Sequence, residues 1–454
     1  MRNLVCSGIF FVFVFLVLPI MAHGQAFRYQ LQSASAAGQG NAFAADASDA
    51  SAIHYNPAGM TQLSGVQISA GTSLVGASIN FKGSNGSSAH GDFGGSVAFP
   101  PPSHSFFTVN LRDVGLTALG GLSAGLGITT PFGLQTRYPK DGPFNSAATA
   151  ANLPLIDIKP TLTYRISESL SVGLGADIYT FASFLGQGHV EQRLIWPGGG
   201  GIPAGTDIEV NGNSTAAGFN ASLLFTPFRN GDGKPLANIG LVYRSQATLH
   251  LNGQFLANGA PVADARTTIV LPQMYTAAVA LWPIRDSARE WKLELDIDFV
   301  GWKSIRNLDV HLSTGGTLPQ PANWKGTAVL MTGTEYRWLK PDLLPDWEVA
   351  ARAGYSFTQN PIPDATFNPG ILGLDLHALS FGTGFVCKGQ GRFLGMIPCH
   401  TGTDSFAVKA IGADLAYQAW LFEGRTIAGN QNPTVNGTYQ ATAHVGVATI
   451  RFMF

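Results

Sequence analysis

The chain has 454 residues, a net charge of −1, 55 glycines and only 12% charged residues. That is too little charge for an ordinary soluble surface, and near-neutrality gives no reason to invoke nucleic acid as a partner. Beyond the first 24 residues the apolar side chains are dispersed, so a helical membrane protein, which needs runs of ~20 apolar residues, is excluded in favour of many half-buried strands.

Residues 1–24 read as a secretory signal peptide. Arg2 supplies the positive charge, Ile9 to Ile20 is the apolar run, and Ala22-His23-Gly24 offers small residues for cleavage before Gln25. The run is short for a membrane anchor. Cys6 leaves with this segment. Cys387 and Cys399 remain, and in an oxidising compartment they are expected to pair and close the loop between them, two free thiols being the alternative.

Residues 25–64 come next. The stretch Ser33 to Leu63 is rich in Ala and Gly and has too little apolar bulk for a core of its own. It is expected to lie inside something larger, as a plug fills a pore. Asn56, Pro57 and Gly59 suit a turn, whether static or switching. Asp46, Asp49 and His54 are expected to bond polar wall groups such as Arg165 or Lys159.

From Val66 onward a period-two pattern runs to the last residue. In Asp157 to Ile166, Asp157, Lys159, Thr161, Thr163 and Arg165 share one face and Ile158, Pro160, Leu162, Tyr164 and Ile166 the other, as in a half-buried strand. Leu170 to Tyr179 repeats this, and Ser167-Glu168-Ser169 makes the pair a hairpin. In Trp291 to Phe299 the polar face is Lys292, Glu294, Asp296 and Asp298, which suits a watery lumen.

The expected strands are 65–81, 100–110, 116–130, 156–167, 169–187, 208–227, 236–253, 264–283, 290–313, 324–338, 346–357, 374–387, 405–420 and 439–454. That is about fourteen, an even number. Alternate connections sort into short polar turns and longer Gly-, Pro- and Asn-rich loops. Residues 388–404 are the exception, long where a short turn is due. The chain stops on a strand with Ala448, Ile450, Phe452 and Phe454 on one face, and an aromatic terminus suits a membrane interface. Strands that must leave no open edge in a bilayer close into a barrel. The expected fold is therefore all-β, a transmembrane antiparallel β-barrel over residues 65–454, with residues 25–64 as a plug.

Gly38, Gly40, Asn41, Ala42 and Phe43 followed by Asn56-Pro57-Ala58-Gly59-Met60 resemble the N-terminal hatch of the FadL/TodX family. Gly127 to Leu134, Gly240 to Ser245, Trp302, Arg352 to Tyr355 and Asn360 to Asp364 extend the resemblance along the chain. It implies a fourteen-stranded channel in the Gram-negative outer membrane, spanning it many times. It also implies passive uptake of hydrophobic compounds, long-chain fatty acids first and monoaromatic hydrocarbons as the alternative. Capture at outer loops is followed by sideways exit through a gap in the wall. The implied partners are a hydrophobic small molecule, outer-membrane lipid and lipopolysaccharide, and the barrel-assembly machinery; a monomer with no cofactor and no metal is expected.

For capture, the apolar loop residues Phe132, Leu134, Tyr138, Leu153 and Leu155 are the candidates. Arg137, Arg193 and Arg244 are possible counter-ions for a carboxylate. Pro100, Pro101 and Pro102 cannot donate to a sheet ladder, so they mark a strand start or border the lateral gap. An enzyme is not expected. Gly121-Leu122-Ser123-Ala124-Gly125 matches a nucleophile-elbow pattern but sits in a glycine-rich strand with no following helix.

Overall fold

The computed structural model describes residues 26–183, 188–402, 404 and 407–454. The expected signal peptide, the end of the expected strand 169–187 and residues 405–406 lie outside the described residues.

Fourteen strands form the wall. They are β1 (Val66–Gly83), β2 (Ser103–Asn110), β3 (Leu122–Thr129), β4 (Ala150–Arg165), β5 (Leu170–Phe181), β6 (Ala216–Arg229) and β7 (Pro235–Arg244). The second half is β8 (Met274–Arg285), β9 (Arg289–Val300), β10 (Thr327–Trp338), β11 (Trp347–Thr358), β12 (Leu376–Lys388), β13 (Ala410–Phe422) and β14 (Gly437–Met453). Each pairs antiparallel with the next. β14 then returns to β1, in register from Gln67 opposite Met453 to Gly83 opposite Gly437. The ring leaves no free edge, which is the condition for crossing lipid.

The alternation read from the sequence becomes the inside and outside of this wall. On β4, Asp157, Lys159, Thr161 and Thr163 are buried inside while Leu162 and Tyr164 are exposed outside. On β9, Lys292, Glu294, Asp296 and Asp298 are buried inside and Leu293, Leu295 and Phe299 are exposed outside. The exposed apolar side chains are the surface a bilayer would solvate.

Four expected strands need correction, for one reason. The expected strands 236–253 and 264–283 run past the wall. β7 stops at Arg244, a separate hairpin of Ala247–Ala257 with Ala260–Leu271 rises above the mouth, and the wall resumes at Met274 after Pro272. The expected strand 290–313 likewise ends at Val300, and Val310–Leu312 pairs with that hairpin. The expected strand 208–227 divides into Asp207–Gly212, which belongs to the same upper sheet, and β6. Upper sheet and wall share the alternating pattern, so periodicity alone does not separate them.

Both ends of the ring meet at one rim, where Phe454 donates its N–H to the carbonyl of Val66 at 2.8 Å. The turns at this rim are mostly short. Its one long connection, between β12 and β13, carries a disulfide joining Cys387 to Cys399. The opposite rim carries the long loops. There Phe27, Phe132, Tyr179, Trp302 and Trp324 pack edge to face across the mouth.

Residues Phe27 to Leu63 run inside the ring, as two short helices (Ala34–Ala37 and Ala52–Tyr55) and a 3-10 turn (Pro57–Gln62). Wall glycines make room for it. A Cβ on Gly354 would stand 2.3 Å from the nitrogen of Gly40, and Gly40 itself has φ +65°, so neither position admits a side chain.

Candidate functional site

The inner segment is held by the charged face of β9. Phe43 and Ala44 donate their N–H groups to Oδ2 of Asp296, each at 2.9 Å. Ala45 and Asp46 donate theirs to Oε1 of Glu294 at 2.7 and 3.0 Å. Lys292 reaches Asp46 at 2.7 Å and Glu294 at 2.9 Å, and Arg28 reaches Asp298 at 2.5 Å. The four polar residues expected to line water grip the inner segment instead, because one strand offers acceptors at the pleat repeat to successive N–H groups that have no partner of their own.

Of Asp46, Asp49 and His54, Asp46 bonds a polar wall group as expected, but that group is Lys292 in place of Arg165 or Lys159. Lys159 is engaged by Asp157 and Asp177 on the wall itself, and Arg165 donates to the carbonyl of Thr61. Asp49 accepts from Ser35 and Ser51, and Arg244 donates to the carbonyl of His54.

Asn56 ties three pieces together. Its Oδ1 accepts from the N–H of Ala58 at 3.1 Å, and its Nδ2 donates to the carbonyls of Ala44 at 2.7 Å and Leu223 at 3.2 Å. Asn41 and Phe43 are buried nearby; Gly38 packs on Gly382, Gly59 on Ala47, and Met60 on Gly125.

Glu294→Ala orphans two buried N–H groups and takes one of two partners from Lys292. Opening of the inner segment should become easier by about 2–4 kcal/mol. Cleavage within residues 33–63 by a protease added to the folded barrel should then be more than about ten-fold faster than in the parent.

Two apolar cavities lie above the inner segment. The first, about 260 Å³, is walled by Leu134, Leu153, Leu251, Ile269, Trp324 and Phe367. The second, about 170 Å³, is walled by Val75, Phe132, Leu155, Trp420 and Phe422 together with Pro100, Pro101 and Pro102. They share Leu134, Asn152 and Leu153.

The second cavity adjoins a weak part of the wall. β1 pairs with β2 only from Val66 to Thr72, and with the short strand Ser88–Gly91 only from Ile79 to Lys82. Between them two bonds hold the wall, from the N–H of Ser73 to the carbonyl of Pro102 and from the N–H of Ala98 to the carbonyl of Val75, each 2.8 Å. The three prolines cannot add a donor.

The candidate capture residues fall in several places. Leu153 and Leu155 stand on β4 rather than in a loop. With Phe132 and Leu134 they line the cavities. Tyr138 packs on Phe144 and donates its hydroxyl to the carbonyl of Pro369 at 3.1 Å, apart from both cavities. Arg193 is bound to Glu209 at 2.7 Å, Arg244 lies inside the barrel against Asp177 at 3.3 Å, and the side chain of Arg137 is exposed.

The cation that does reach the second cavity is Arg28, which sequence reasoning missed. Its Nη2 is on Asp298, and its Nη1 is buried without a hydrogen-bond partner. Its only signal is its position in Phe27-Arg28-Tyr29-Gln30, where a lone cation is flanked by aromatics.

Asp375 ends the loop that brings Leu372 to the second cavity. Burial first, then Glu423 beside it, push its carboxyl up to about 7, against the pull of Arg425. A carboxyl raised in the fold takes up its proton earlier there than in the open chain, so lowering pH favours the closed loop. Protection of residues 359–375 from proteolysis should therefore rise as pH falls from about 7 toward 4, and Asp375→Asn should flatten that dependence.

A family described as "Outer membrane protein transport protein (OMPP1/FadL/TodX)" matches residues 17–392. The "Long-chain fatty acid transport protein" of Escherichia coli (strain K12) is 24% identical over 400 residues, covering 78% of this chain and 83% of that protein. The crystal structure of a Pseudomonas aeruginosa FadL homologue has a TM-score of 0.72 at 17% identity, covering 95% of this chain and 100% of the other. The P. putida toluene transporter TodX has a TM-score of 0.58 at 16% identity, covering 95% and 99%. The two structural likenesses show a common fold.

Proposed function

The chain belongs to the OMPP1/FadL/TodX family of outer-membrane transport proteins, and from that premise we propose that it carries hydrophobic compounds, long-chain fatty acids first, passively across the Gram-negative outer membrane. The observation that carries this reading is the pair of apolar cavities sharing Leu134, Asn152 and Leu153, the second of them against the weak wall at Pro100–Pro102. An alkyl chain leaving water gains ~25 cal/mol per Å² buried. Two adjoining cavities suit an elongated ligand, whereas a single ring would occupy one. The Arg28 guanidinium gives a carboxylate a partner at the floor.

In this reading the ligand enters the first cavity from the loop rim, passes Leu134 into the second, and leaves sideways between β1 and the segment around Pro101. Residues 27–63 act as a hatch, which keeps water and ions from following. An exit into lipid suits an apolar cargo, since a wet pore offers it nothing.

Monoaromatic hydrocarbons are the second reading. What favours it is that Arg28 already has Asp298 as a partner, which lessens its pull on a carboxylate. The test is to identify by mass spectrometry what co-purifies in detergent, then to compare binding of a labelled long-chain fatty acid and of toluene. Saturable fatty-acid binding that Arg28→Gln weakens supports the first reading. Preference for toluene, unmoved by that change, supports the second, and binding of neither ends both.

A further inference from the structure

The long connection after β12 lies on the outer side of the barrel. The register fixes this. Leu379 and Phe381 of β12 are exposed on the lipid-facing side, and Cys387, an even number of residues further, points the same way. Opposite Cys387 stand Trp347 of β11 and Ile411 of β13, and opposite Ile411 stands Phe452 of β14. All four are outward positions in uninterrupted ladders. Yet Cys387 is 0% and Ile411 1% exposed.

What covers them is the connection itself. Phe393 and Cys399 pack on Cys387 and Ile411, Phe393 stacks on Trp347 at 6.2 Å, and the disulfide fixes the fold-back. Arg392–Phe393 and Ile397–Pro398 pair as a small hairpin whose tip is Leu394-Gly395-Met396. With Phe393 turned to the wall, Leu394 is 73% and Met396 71% exposed, and Ile397 is exposed beside them.

The neighbouring turn between β10 and β11 adds Leu343, 94% exposed, and Leu344. The two are held together where Lys388 donates its N–H to the carbonyl of Asp346 at 2.8 Å. Exposed charges on the two turns are Lys340, Lys388, Arg392 and Lys409 against Asp342 and Asp404, and Lys388 is paired with Glu348.

Short turns mark the periplasmic rim of such barrels, and we propose that this stapled hairpin is a monotopic anchor lying in the inner leaflet of the outer membrane, its apolar tip among acyl chains and Arg392 and Lys409 among phospholipid phosphates. The occupant is lipid because the hairpin is stacked on lipid-facing wall positions at the rim, so the surface beyond it continues the surface the bilayer already wets. Five large apolar side chains exposed at the hairpin tip and on the neighbouring turn are costly in water and favourable at an interface, where Arg392 and Lys409 meet anionic headgroups. The inference rests on the barrel spanning the membrane and is independent of which cargo it carries.

The test is photocrosslinking of the full-length folded barrel in vesicles of phosphatidylethanolamine and phosphatidylglycerol. A benzophenone-bearing amino acid replaces Met396 in one variant and Leu343 in a second, with exposed Asp232 in the Asn230–Lys234 turn as the reference. Phospholipid adducts, read by mass, should be at least about five-fold more abundant at both sites than at Asp232. Adducts at Met396 and Leu343 no more abundant than at Asp232 would overturn the proposal. So would crosslinks in native outer membranes that go to a polypeptide in place of lipid.

Discussion

Deleting Ser33 to Met60 is expected to leave a folded barrel whose single-channel conductance is more than about ten-fold that of the parent, since a fourteen-strand ring without its filling is a water-filled pore. The wall does not depend on the segment for closure, because every strand of the ring pairs with the next and β14 returns to β1. The segment does fill the lumen. Its removal exposes Lys292, Glu294 and Asp296 on β9, with Arg244 on β7 and Lys159 on β4. Bulk water then replaces the N–H groups that Glu294 and Asp296 accept from, so these charges are hydrated rather than orphaned. Planar-bilayer recording together with heat-modifiable mobility on gels reads both halves of the expectation. A barrel that no longer assembles would make the segment part of the folding core and end its description as a hatch. A barrel that assembles and stays closed would place the seal in the aromatic cluster at the loop rim.

The wall was legible because its alternation is strict. Asp157 to Ile166, Leu170 to Tyr179 and Trp291 to Phe299 each give one face to lipid and one to the interior, and period two needs no knowledge of neighbours. The same logic failed above Arg244. The hairpin of Ala247–Ala257 and Ala260–Leu271 is built of the same alternating residues, and the break at Ser245-Gln246 carries neither Gly nor Pro; only Pro272 marks the return.

The face of β9 was legible, but its partners were not. Asp296 meets Phe43 and Ala44 from some 250 positions away, and alternation states which side a carboxylate takes, never what waits there. The counter-ions were misplaced for a related reason. A loop arginine looks free in a sequence, whereas the carboxylate that claims it, as Glu209 claims Arg193, is chosen by packing. Arg28 went unweighed because its neighbourhood reads as filling.

Leu134→Trp should separate binding from passage. Leu134 sits on the short strand Gly133–Arg137, opposite Leu153, and both residues line both cavities. It is half-buried, so the larger indole has somewhere to go, and the space it takes is the junction. Overpacking at such a site costs about 1–3 kcal/mol, well short of unfolding a closed barrel. A ligand moving between the cavities would meet that indole at every pass, so uptake by cells should fall about ten-fold or more, the equivalent of at least ~1.4 kcal/mol on the path. Equilibrium binding of the same labelled fatty acid to the purified protein should change by less than about three-fold, since the first cavity keeps Leu251, Ile269, Trp324 and Phe367. Leu134→Ala is the control; it widens the junction and should leave uptake at or above the parent's rate. Equal uptake by the parent and the tryptophan variant would mean that cargo does not travel from the first cavity to the second, and the lateral route past Pro100–Pro102 would lose its entrance.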